Sequence, residues 1–113
     1  MNYCSKCGQE IVEKIIQKIP AKELEWGAIS ENEMDWFEAI KWCKAQGEGW
    51  RLPTRIELLQ AFDEGIKFPG YNFWSSTEDY SNPALAWYTT LYSGYTSYNA
   101  KTSSNYVRAC RNI

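Results

Sequence analysis

Cysteines are the side chains best equipped for chemistry in this 113-residue chain, which has 4 of them and no histidine. Cys4-Ser5-Lys6-Cys7-Gly8 is a CxxC knuckle, two thiols on a tight turn with a trailing glycine, which is half of a tetrahedral zinc site. Three readings stay open: zinc held by Cys4 and Cys7 and completed by a second copy of the chain or by a missing ribbon half, a redox dithiol without the usual βαβ context, or a metal-free knuckle. The absence of histidine removes Ser-His-Asp and Cys-His catalysis, His-ligated metals and the usual near-neutral general base. No GxSxG, Walker A or GxGxxG run is present either. The expectation is a protein that is not an enzyme and requires no cofactor, structural zinc at Cys4 and Cys7 aside.

Binding chemistry is better represented. Aromatic residues make up 16% of the chain, and all but one of the 8 tyrosines lie between Tyr71 and Tyr106, among serine, threonine and asparagine. Tyrosine offers rigid amphipathic contact area at low entropic cost, and the small polar residues offer adaptable hydrogen bonds, the mixture found in binding loops. Tyr80, Tyr88, Tyr92, Tyr95, Tyr98, Asn99 and Asn105 are the candidate ligand contacts. The same composition also suits β-strands joined by polar turns. Tyrosine, asparagine, serine and aspartate are frequent products of adenine-directed mutagenesis, which makes a retroelement-diversified binder conceivable.

Charge narrows the partners. The net charge is -2 and the isoelectric point near 5.2, without a lysine and arginine cluster, so a nucleic-acid footprint is missing. No run approaches a membrane span, so membrane insertion is not expected, and the polar start at Met1 has no signal-peptide core. A protein or glycan ligand is the expected partner, with a homodimer as the alternative the knuckle raises.

The elements that must hold these residues follow from spacing. Residues 1-20 read as the knuckle plus an amphipathic segment (Ile11, Val12, Ile15, Ile16, Ile19) stopping at Pro20, helical or extended, and residues 21-113 as the main domain. Leu24, Trp26 and Ala28 alternate with Glu25 and Gly27 as a first strand. Asp35 with Glu38 reads as a capping box opening a helix to about Gln46, with Trp36, Ile40 and Cys43 on one face. Thr54 with Glu57 opens a second to about Asp63, with Leu58, Leu59 and Phe62 facing inward. Strands then fall at 73-77, 84-92 and 105-111, with Leu85, Trp87 and Leu91 on the core face of the middle one and Tyr88, Thr90 and Tyr92 opposite. Helices followed by an antiparallel sheet make the class α+β.

Gly49-Trp50-Arg51-Leu52-Pro53-Thr54 with Glu57-Leu58, Phe73-Trp74-Ser75-Ser76-Thr77, Ala86-Trp87, Gly94 and Val107-Arg108-Ala109-Cys110-Arg111 occur in that order. Together they resemble the Lcl C-terminal-like domain family, from about Leu24 to the end. That resemblance implies a C-type-lectin-like fold, two helices packed on a small twisted antiparallel sheet, here with a short N-terminal extension. It also implies a binding role like that of domains in bacterial adhesins, in phage or surface proteins, and in receptors diversified by retroelements.

In the implied fold a first-helix cysteine is commonly bridged to one on the last strand, which would pair Cys43 with Cys110; two buried reduced thiols are the alternative. The EPN, QPD and WND motifs of calcium-dependent lectins are missing, so calcium is not expected. The cysteine pair of the formylglycine-generating enzymes is missing too. Trp50, Leu52, Trp74 and Trp87 read as core. Inward arginines at 51 and 108 need a carboxylate or several carbonyls, with Glu57 and Glu38 as candidate partners.

Overall fold

The computed structural model describes residues 24–113; Cys4, Cys7 and the amphipathic segment of residues 11–19 lie outside them. The order of elements is β1 (Leu24–Ile29), α1 (Trp36–Lys44), α2 (Arg55–Asp63), β2 (Asn72–Glu78), β3 (Leu85–Thr90), β4 (Tyr95–Ala100) and β5 (Arg108–Asn112).

Both helix starts are written in the sequence. Asp35 accepts a hydrogen bond from the Glu38 amide at 2.8 Å, and Thr54 and Glu57 form a complete reciprocal capping box. Helix α1 stops at Lys44, before the expected Gln46, because Gln46 and Gly47 donate to Cys43 and Lys44 in a tightening last turn. It buries Trp36, Ala39 and Cys43, with Ile40 packed beside them. Helix α2 buries Leu58 and Ala61, whereas Phe62, expected to face inward, is exposed and packs over Gly94. Residue 61 lies about 60° from Leu58 around the helix and Phe62 about 40° on the other side, so both positions were open to the core. Alanine fits the close approach of α2 to the sheet.

Two antiparallel sheets carry the strands of the described residues. One pairs β1 with β5, tying the first described residues to the last; the other has the order β2-β3-β4. A register shift between Trp26 and Ile29 breaks the expected alternation in β1, so Ile29 packs inward in place of Ala28, which is exposed. Bridges from Arg51 to Cys110, from Met34 to Asn105 and from Phe73 to Tyr106 stitch the loops to the strands.

The core has two parts. The larger joins Trp36, Cys43, Leu52, Trp74, Ala86, Val107 and Ala109; the smaller joins Leu58, Phe73 and Leu91, flanked by Trp26, Ile29, Phe68 and Tyr106. Leu52 and Trp74 are buried as expected, but Trp50 and Trp87 are only half-buried. Trp87 lies between Arg55, 4.3 Å from its ring, and Tyr98, and the neighbouring Ala86 takes the fully buried position.

The two inward arginines settle differently. Arg51 grips Glu57 with two hydrogen bonds of 2.8 and 2.9 Å and reaches Asn112. Among the described residues Arg108 pairs with no carboxylate. It donates to the carbonyls of Gly27 and Lys67, each at 2.8 Å, and lies over Phe68, while Glu38 is exposed at the start of α1. Carbonyl dipoles and a ring face thus offset its desolvation.

Candidate functional site

Backbone hydrogen bonds decide which tyrosines share a surface. Leu91 donates to the Tyr71 carbonyl and Asp79 to that of Leu85, so the odd residues of β3 bond toward β2 and the even ones toward β4. Residues directly opposite one another point to the same face. The register therefore lays out three rows on one face: Asn72, Thr90 and Tyr95; then Trp74, Tyr88 and Ser97; then Ala86 and Asn99.

One end of this face is closed. Trp74 and Ala86 are buried, Tyr88 packs against the larger core, and Lys101 sits over the Trp36 ring while pairing with Glu78 at 2.6 Å. The hairpin end is open. Tyr92 is 82% exposed and Tyr95 59%, and Thr90, opposite Tyr95, donates to the Asn72 side chain at 2.6 Å. Tyr92 lies in the turn, over Gly70, whose missing side chain leaves room for it: an added Cβ would meet Tyr92 Cβ at 3.3 Å. Aromatic edges beside hydroxyl and amide groups, with no charge among Asn72, Thr90, Tyr92, Tyr95 and Ser97, give this surface hydrogen-bonding and stacking capacity without an ionic preference.

The structure brings together Tyr88, Tyr92, Tyr95 and Asn99 of the expected contacts, with Tyr88 and Asn99 half-buried. It separates the others. Tyr98 stands on the opposite face, edge-on to Trp87 at 5.3 Å, and Tyr80 is fully exposed in the β2–β3 loop. Asn105 is 2% exposed, and its backbone pairs with Met34 in both directions. It is not a surface contact: Asn105 read as the polar start of the last strand, but the chain there bridges to Met34 and the side chain is buried.

Asn72 and Thr90 were missed. Their alternation with Tyr88 and Tyr92 was visible, but the partner strand and its register were not. Tyr71 and Tyr106 form a stacked pair with centroids 4.3 Å apart, on the Phe73 side of the sheet. Tyr106 packs on the smaller core, and Tyr71, 47% exposed, stacks on it away from the open face.

The bridge expected between Cys43 and Cys110 is not formed: both are free and fully buried. Burial, and for Cys43 the neighbouring Cys110, pushes each thiol up to about 12, which disfavours the thiolate that disulfide exchange requires. Among the described residues no group of three or more His, Cys, Asp or Glu could hold a metal, and no helix is long and apolar enough to cross a membrane.

Comparison with known proteins fits this architecture. No curated protein matches the sequence. A crystal structure of EMS16, an antagonist of the collagen receptor integrin alpha2beta1, superimposes with a TM-score of 0.55 at 12% identity, covering 78% of this chain and 97% of that one. Identity that low speaks to the fold alone, which is C-type-lectin-like. The family described as the Lcl C-terminal domain matches residues 20–111, over the ordered WRLPT, WSST and VRAC motifs, and the chain therefore belongs to the Lcl C-terminal domain family.

Proposed function

We propose that this chain is a non-catalytic binding domain that recognises a protein or glycan through the open end of the β2-β3-β4 face, with Tyr92 and Tyr95 as its principal contacts. The observation carrying this reading is that two tyrosines stand largely exposed near the Asn72–Thr90 hydrogen bond. Large aromatic groups left in water beside satisfied polar groups are what a recognition surface offers. EMS16 is an antagonist of a protein receptor, which supports protein recognition by analogy of fold only. An adhesin-like or phage-borne setting suits such a surface. In a retroelement-diversified receptor, copies of the gene would vary at Tyr92, Tyr95, Ser97 and Asn99 and keep Trp74 and Ala86.

The test is a glycan array and a protein array probed with the full chain, followed by titration of each hit. Tyr92→Ala with Tyr95→Ala together should weaken the hit by at least about thirtyfold, the scale of one hot-spot residue. Tyr80→Ala should leave it unchanged. Binding unaffected by the double substitution, or abolished equally by Tyr80→Ala, would overturn the assignment to this face.

A further inference from the structure

Among the described residues the three-stranded sheet ends in an unguarded edge. Among the described residues strand β4 pairs with β3 alone, and the parity of that ladder turns the amides and carbonyls of Thr96 and Tyr98 outward, where they meet no partner among those residues. Native edge strands are usually blunted by lysine, proline, a bulge or a covering segment. From Ser93 to Ala100 the sequence has no charge and no proline, and β4 keeps its register with β3 throughout. The other edges are managed: β2 is bridged by Tyr106, β5 by Arg51, and β1 and β5 carry Glu25, Arg108 and Arg111.

We propose that β4 is a homodimerisation edge, pairing antiparallel with β4 of a second copy around a two-fold axis at Ser97. The strand is self-complementary in that register. Tyr95 falls opposite Asn99 of the second copy, Thr96 opposite Tyr98, and Ser97 opposite its own equivalent, so every tyrosine meets a smaller residue and no like charges meet. The outward groups of Thr96 and Tyr98 are the ones such pairing needs. A two-fold axis normal to the sheet keeps both open faces on the same side, giving one six-stranded surface with four exposed tyrosines and two equivalent sites. The dimer stands or falls independently of what that surface binds.

The full chain is tested by analytical ultracentrifugation from about 1 to about 100 micromolar, the range of a moderate self-association. A chelator is present throughout, so that metal held by Cys4 and Cys7 does not contribute. The expected result is a concentration-dependent dimer that Ser97→Lys and Ser97→Glu each weaken by about tenfold or more, through like charges at the axis. Mixing the two variants should restore a heterodimer. Ser97 is half-exposed, so the charge alters the edge and not the core. In the unsubstituted chain, amide exchange at Thr96 and Tyr98 should slow as concentration rises. A monomer across the whole range, a dimer indifferent to both substitutions, a mixture that stays monomeric, or exchange independent of concentration overturns the proposal.

Discussion

The ring of Phe62 lies against the α-carbon of Gly94, so close that a side-chain carbon there would come within 2.7 Å of Phe62 Cε2. This contact seats the β3–β4 turn on α2, and with it the hairpin that carries Tyr92 and Tyr95. Gly94 also has φ +80°, a left-handed conformation that other residues adopt at a cost. Gly94→Ala should therefore cost about 2 kcal/mol, part backbone strain and part overpacking. Adding Phe62→Ala should remove the overpacking part, leaving about 1 kcal/mol attributable to Gly94→Ala in that background. Urea unfolding of the four proteins checks this cycle; a Gly94→Ala midpoint equal to that of the parent sinks it.

Glu57 should make stability depend on acid. Burial pushes its carboxyl up, but hydrogen bonds from Arg51 and from the Thr54 amide outweigh that and hold it below the ordinary carboxylate value. A group depressed in the folded state contributes stability above its unfolded pKa, near 4.3, and loses it as pH falls through the folded value. Glu57→Gln, which keeps the shape and removes the charge, should cost about 1–2 kcal/mol at neutral pH. The difference between the two proteins should shrink progressively below about pH 4. Melting temperatures across that window decide it, and a difference constant with pH would show that the charge carries none of the effect.

Local signals were legible in the sequence where one segment sufficed to determine the outcome. Asp35 and Thr54 cap the helices they announce, and the alternation of Tyr88, Thr90 and Tyr92 against Leu91 survives in the structure. The C-type-lectin-like fold was legible through ordered motifs rather than through any one element. What stayed hidden depends on partners distant in the chain. Tyr98 parts from Tyr95 because the ladder puts it opposite Trp87, and Asn105 is buried because it meets Met34, 71 positions earlier by residue number. Ala28 was misplaced because a bulge leaves no mark in a six-residue strand. The open face was legible as a composition and illegible as a place: tyrosine density pointed to the hairpin, but cross-strand register turns Tyr98 away, the β2–β3 loop carries Tyr80 off, and the bridge to Met34 buries Asn105.

The buried thiols should be chemically silent until the protein opens. With Cys4 and Cys7 replaced by serine, only Cys43 and Cys110 remain to react, and both are fully buried with their pKa near 12. Modification by an aromatic disulfide reagent at neutral pH should then proceed at the opening rate of the domain, at least about a hundredfold slower than in denaturant. Because each folded-state pKa is raised, the stabilisation is fully present below the unfolded value of about 8.5 and is lost as pH rises toward 12. The folded protein should consequently weaken between about pH 9 and pH 12 by more than a variant carrying Cys43→Ala and Cys110→Ala, whose alkaline limb lacks both groups. Fast labelling of the native chain at neutral pH would mean that α1 and β5 separate far more readily than their packing around Trp36, Leu52 and Ala109 allows.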